Sequence, residues 1–253
     1  MDMPANYARF LTGRDRSIQA NRQLGFALAF VAGAINAGGF LAVRQYTSHV
    51  TGMVSSLADN LALGEFALSV DAAVGVLAFL LGAMTCALLV NFARRRRMAS
   101  EYALPLMLEA ALILLFGLMG ARLATFEGLL LPFTIVLLCF VMGLQNALVT
   151  KLSGGVVRTT HLTGTVTDLG IELGRLLYWN RDRDAPRFVR ADRDRIVVLA
   201  GLVAAFLSGA ITGAFGFKLA GYVSTVPLAI VLVLLAVVPV LDDLRRAARA
   251  RGS

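Results

Sequence analysis

The sequence predicts an all-α integral membrane protein with about six transmembrane helices, arranged as two three-helix repeats of inverted topology. Three observations carry this prediction. First, 58% of the 253 residues are hydrophobic and only 16% are charged, whereas soluble domains carry about 25% charged residues. Second, the apolar residues fall in six long, continuous runs. Third, one polar motif occurs twice, separated by an odd number of runs. Six spans with short loops use up the length, so a sizeable soluble catalytic domain is excluded.

The elements follow in order. Residues 1–22 form a basic tail with Arg9, Arg14, Arg16 and Arg22. The apolar runs cover about Gln23–Val43, Ala67–Phe92, Ala103–Ala121, Gly128–Ala147, Ile196–Phe217 and Ala220–Leu241. Each is near the ~20 residues that cross a hydrocarbon core as a helix. Strands are excluded because the runs do not alternate apolar with polar. The first repeat spans 23–121, and the second spans 122–241 with a polar loop at 178–195. A tail at 242–253 closes the chain.

The net charge is +8, and 22 of the 24 basic residues are Arg. They collect in the N-terminal tail, after the second and fourth runs, and in the C-terminal tail. That pattern fits cytoplasmic loops rather than a nucleic-acid surface, and it places both termini in the cytoplasm. The first run is too long and too well flanked by Arg for a cleaved signal peptide. The stretch Arg181–Arg195 alternates in sign and reads as a solvated connector, with partner docking as the alternative. Cys86 and Cys139 lie in apolar runs and read as packing residues.

The motif is SHVTGMVSSLADNLA at 48–62 and THLTGTVTDLGIELG at 160–174. Six of the fifteen pairs are identical at an offset of 112, including His49/His161, Thr51/Thr163 and Gly52/Gly164. Gly33-Ala34-Ile35-Asn36-Ala37 faces Gly143-Leu144-Gln145-Asn146-Ala147 at an offset of 110. Self-similarity over such a distance is a duplication. The unit holds three spans, so its second copy enters the membrane in the opposite sense. Inverted repeats are the architecture of secondary transporters, with sites at the repeat interface.

Candidate binding residues are therefore His49, Thr51, Gly52, His161, Thr163 and Gly164, with Asn36, Gln145 and Asn146 from the adjoining spans. Each motif precedes a short amphipathic helix whose N-terminus would offer free N–H groups to a small anion or polar solute. The two threonines can also be read as N-caps and the two glycines as turn residues. His49 and His161 are the only histidines in the chain. They offer protonation near neutral pH. Asn36 and Asn146 can also be read as interhelical hydrogen-bonding groups. Glu109, inside the third run, and Asp168, which faces Ser56 across the repeat, are proton-coupling candidates. Glu109 can equally be read as a snorkelling or paired group. No metal-ligand spacing, cofactor motif or catalytic motif is present, so neither metal, cofactor nor enzyme activity is expected.

The strings Ser48-His49-Val50-Thr51-Gly52, Met142-Gly143-Leu144-Gln145-Asn146-Ala147 and Arg158-Thr159-Thr160-His161-Leu162-Thr163-Gly164 resemble the YoaK-like family of bacterial membrane proteins, a domain of unknown function. The likeness covers about residues 20–240. It implies a bacterial inner-membrane protein of about six spans and supplies neither substrate nor site residues. The expected function is a secondary transporter or permease for a small solute, an anion among the candidates. The partners are the lipid bilayer, that solute and, as one option, further copies of the chain. A non-transporting scaffold or sensor, and an intramembrane enzyme using His49 or His161, are the alternatives.

Overall fold

The computed structural model describes residues 18–98, 101–123, 125–152, 162–179 and 189–251. Among them the chain forms eight α-helices. These are α1 (Ile18–Val43), α2 (Val50–Ala62), α3 (Phe66–Arg95), α4 (Ala103–Leu123), α5 (Glu127–Leu152), α6 (Leu162–Leu177), α7 (Arg193–Ala220) and α8 (Thr225–Arg251). A 3-10 turn, Gly221–Ser224, joins α7 to α8. Two of the helices are short: α2 begins at Val50 and α6 at Leu162, inside the stretches 48–62 and 160–174.

Five segments are long and apolar enough to cross a membrane: Arg22–Val43, Phe66–Arg95, Ala103–Leu123, Leu130–Lys151 and Arg193–Val237. This is the framework of a multi-span membrane protein. The fifth and sixth predicted runs fall together in the last segment, which is 45 residues long. A straight helix of that length would measure ~65 Å, about twice a hydrocarbon core. It breaks instead at Gly221, whose φ of 63° lies where only glycine is unstrained.

α3 shows why such a helix belongs in lipid. Its buried stripe is small or slightly polar: Ser69, Gly75, Ala78, Gly82, Cys86, Val90 and Ala93. Its outward face carries Leu77, Leu80, Leu81, Met84 and Leu88, all exposed. A water-soluble helix would reverse that arrangement, burying its large apolar residues. Small residues inside and large ones outside suit close backbone packing in a solvent as apolar as leucine.

The pairing of the long helices follows from four copies of one short pattern. They are Phe30-Val31-Ala32-Gly33, Phe79-Leu80-Leu81-Gly82, Phe140-Val141-Met142-Gly143 and Phe206-Leu207-Ser208-Gly209. α1 packs on α7, and α3 packs on α5. In each pair the glycine of one helix lies against the phenylalanine carbonyl of the other, and the reverse. Gly33 meets Phe206, Gly209 meets Phe30, Gly82 meets Phe140, and Gly143 meets Phe79. A Cβ at any of the four would overlap that carbonyl.

Both pairs run parallel. Along α1 and α7, Gly25 lies by Leu202 and Gly38 by Phe217; along α3 and α5, Gly75 lies by Cys139 and Gly82 by Leu144. The two pairs meet where α1 crosses α5, and there the direction reverses. Gly39 faces Leu138, with 3.2 Å from its Cβ position to Cδ1. Eleven residues earlier, the Leu28 carbonyl accepts from Gln145 Nε2 at 3.2 Å. α4 and α8 form the third pair and are antiparallel, with Gly117 against Thr225 and Gly120 against Tyr222. Phe116, Phe217 and Tyr222 pack edge-on or tilted, with centroids 5.8–6.2 Å apart, where α4, α7 and the turn converge.

Caps fix the corners. Gly64, at φ 79°, ends α2, and the Glu65 N–H donates back to the Asn60 carbonyl at 2.8 Å. Arg44 (φ 58°) and Arg97 (φ 53°) end α1 and α3 in the same left-handed region without being glycine. Arg94 pairs with Glu101 and reaches the Tyr102 hydroxyl, which ties the end of α3 to the start of α4.

Candidate functional site

A cleft of about 570 Å³ opens between the start of α2, the first turns of α3 and the first half of α5. Its polar lining is Gln45, Tyr46, His49, Ser56, Asn60 and Asp71. Its apolar floor comes from α5, through Leu131, Ile135 and Cys139, with Met53 and Gly75 at the α2–α3 contact. A larger cleft of about 860 Å³ lies between Arg175–Tyr178 and Val189–Asp194. Residues 180–188, which join its two walls, lie outside the described residues. The walls at His49 are all described.

The local sequence explains how His49 is held. α2 begins at Val50, so His49 occupies the N-cap position, and its side chain makes no capping hydrogen bond. The ring instead folds over the first turn. A Cβ at Gly52 would lie 2.6 Å from His49 Nδ1. Glycine three residues after the histidine therefore leaves room for the imidazole. This overturns the capping reading of Thr51, which is the second residue of α2 and is exposed. The loop before the histidine is tied to α1, where Ser48 Oγ donates to Asn36 Oδ1 at 2.8 Å. Tyr46 stacks on Phe40 with centroids 4.6 Å apart. Asn36 thus positions the motif loop rather than facing the cleft.

The second copy is built differently. Thr163 and Gly164 sit exposed in the first turn of α6, and Thr163 is its second residue. His161 lies outside the described residues. Asp168, offered as a proton carrier, is bound at the surface to Arg195 at 3.0 Å. Glu172, one turn further on, is 1% exposed. It accepts from Arg175 at 2.8 Å and from the Asp192 backbone N–H at 3.0 Å, with Arg195 at 3.8 Å. Asp192 also caps α7, accepting from the Arg195 N–H at 3.0 Å.

The remaining candidates lie in the packed interior. Gln145 and Asn146 are buried on α5, about five turns of helix from its start. They sit about 9–10 Å beyond Cys139 along the helix axis. Gln145 bonds the Leu28 carbonyl of α1 through its amide nitrogen, and among the described residues its oxygen has no partner. Asn146 Oδ1 has none either. Glu109 on α4 is 0% exposed, and among the described residues neither of its oxygens has a donor. The structure therefore divides the predicted set among three places. His49 and Gly52 share the cleft, Glu109, Gln145 and Asn146 lie buried, and Thr163, Gly164 and Asp168 lie on α6.

Sequence reasoning missed Asn60, Tyr46 and Gln45 as lining residues and Glu172 as the centre of an ion-pair network. The helical spacing of Met53, Ser56 and Asn60 after His49 is a signal that would have found one wall. Among the described residues, no group of three or more His, Cys, Asp or Glu side chains could hold a metal ion. The cleft presents an imidazole, a phenol, a hydroxyl and amides that can donate or accept hydrogen bonds, and one carboxylate that accepts them.

Comparison with known proteins agrees on family. The family model described as a protein of unknown function (DUF1275) matches residues 24–238, and the chain belongs to that family. No curated protein and no solved structure matches it.

Proposed function

We propose that this family member is a secondary transporter or permease for a small polar solute, with the His49 cleft as its binding cavity. One observation carries the reading: a cleft of about 570 Å³ with six polar side chains cuts into a bundle of membrane-crossing helices. Small-molecule sites occupy about 300–1,000 Å³. The inverted repeat belongs to the same proposal. It is supported by the antiparallel crossing of α1 with α5, and by the matched parallel pairs α1–α7 and α3–α5. In six spans with cytoplasmic termini, the His49 cleft faces outward and α6 faces inward. His161 is then the counterpart of His49, and the ion pairs at Glu172 close the inner route while the outer cleft is open.

The lining refines the solute class. It holds Asp71 and neither Lys nor Arg. A neutral or positively charged solute suits it better than the anion that the helix N-terminus suggests.

The test is sided labelling. Cys86 and Cys139 are replaced by alanine, and single cysteines are placed at Ser56 or Thr167. An impermeant maleimide is applied to intact cells and to inverted vesicles. The expected result is Ser56 labelling from outside and Thr167 labelling from inside. A panel of small solutes is then screened for protection of the Ser56 cysteine. Protectors are tested for uptake into proteoliposomes, with His49→Ala expected to abolish it. Labelling of both positions from one side removes the inverted repeat, and full flux in His49→Ala removes the site.

A further inference from the structure

Four buried side-chain atoms lack a hydrogen-bond partner among the described residues: Glu109 Oε1, Glu109 Oε2, Gln145 Oε1 and Asn146 Oδ1. All four are acceptors, and none is a donor. A packed interior normally satisfies such groups, and an unmet one calls for an explanation. A set made only of acceptor oxygens repels an anion and calls for a positively charged donor.

These atoms lie at similar depths. α3 and α5 run parallel through the Gly82–Leu144 contact. Cys86, four residues after Gly82 on the same buried stripe, is therefore level with the turn that follows Leu144. α4 and α5 pack together and are joined by three residues, so they fold back on each other. Glu109 lies 14 residues before the end of α4 and Gln145 lies 18 residues after the start of α5, which puts Glu109 about 6–8 Å in depth from Gln145 and Asn146. Neither cleft described above includes Glu109. A lone carboxylate without donor or water is the costly form in such a place, and the neutral acid supplies its own donor.

From this geometry we infer that Glu109 is a proton-binding site within the membrane, with the Gln145 and Asn146 amide oxygens as its acceptor surroundings. It deepens the transporter reading by naming the coupled ion, and it rests on that reading only for its use. The ionisable groups around it are few. α3 offers Cys86 between Asp71 and Arg94, and α5 offers Cys139 and Lys151 beyond its first residue. The turn before α8 offers Tyr222, and α8 offers no ionisable residue from Thr225 to Leu241. The carboxylate takes up one proton, and the acid releases it when the site gains access to water on the other side.

The experiment reads the carboxyl group itself, without any solute. The full chain in lipid nanodiscs is followed by infrared spectroscopy from pH 5 to pH 10. A neutral-carboxyl carbonyl band is expected at pH 7, lost reversibly as the pH rises, absent in Glu109→Gln and shifted in frequency in Glu109→Asp. Asn146→Leu should lower the midpoint of its loss, because one acceptor for the acid proton is gone. Replacing sodium by choline should leave the midpoint unchanged. No band at pH 7, a band that survives Glu109→Gln, or a band that never titrates overturns the assignment. A midpoint that drops when sodium is added overturns the proton in favour of a metal cation. Failure of the labelling test with a normal titration would sink the transporter reading and leave this site standing.

Discussion

α2 and α6 grow from two copies of one motif, yet one stands open and the other is fastened. At an offset of 112, Ser56 and Asn60 of α2 correspond to Asp168 and Glu172 of α6. At an offset of 127, Glu65 and Leu68 before and within α3 correspond to Asp192 and Arg195 at α7. Glu65 and Asp192 are both N-caps, but only Asp192 accepts a hydrogen bond through its side chain. Under the proposed repeat these positions are equivalent, and their chemistry differs. Four side chains turn a polar cleft into an ion-paired clasp.

Several measurements break or sharpen this contrast. The largest effect belongs to the part the halves share. Gly82→Ala and Gly209→Ala each force a methyl group into a carbonyl of the facing helix. Each should cost about 3 kcal/mol, at the upper end for overpacking. Thermal unfolding in detergent should show equal losses, and unequal losses would mean the crossings are not equivalent. Next comes Glu172→Gln, which leaves Arg175, Arg195 and the Asp192 N–H short of a buried acceptor. The expected cost is about 1–3 kcal/mol, read as faster hydrogen exchange across α6 with α2 unchanged.

A smaller effect comes from moving the clasp. Asn60→Glu with Leu68→Arg copies the second half into the first and should gain about 0.5–1 kcal/mol at best. Its sharper readout is slower maleimide labelling at Ser56, and unchanged labelling would mean that the ion pairs do not set the opening. Arg195→Ala removes the Asp168 pair, in which both side chains are nearly half exposed, so that pair is worth ~1 kcal/mol or less and weakens with salt. The smallest stability effect is that of His49→Ala, within about 0.5 kcal/mol for an exposed side chain without a capping bond. Its effect on flux should nevertheless be complete.

Much of this plan is legible in the sequence. The helices follow the apolar runs because in lipid a continuous run can only satisfy its backbone as a helix. The Gly33/Gly143 match is visible at an offset of 110, and extending it by three residues to Phe30 and Phe140 would have revealed the crossing pattern. The same pattern recurs at 79–82 and 206–209, where weaker surrounding similarity hides it. The pairing of Asp168 with Arg195 was not legible, since it joins residues 27 apart across a polar loop. Nor was the role of Gly52, because periodicity does not say that a histidine ring will lie over the turn that follows it. Glu109 was visible as an ionisable residue in an apolar run, but its depth depends on how α4 meets its neighbours. His161 lies outside the described residues, and its match to His49 stays a matter of sequence.

The crossed pairing also constrains how the protein is made. α1 finds its glycine partner not in its own half but around Phe206–Gly209, and α3 finds its own around Phe140–Gly143. At about 5–20 residues per second, α1 waits in the bilayer about 10–30 s before its mate leaves the ribosome. Through that interval its bare glycine face is open to any other helix nearby. Neither half can complete a core alone, and the pairing is finished only when the last two long helices arrive, α7 for α1 and α8 for α4.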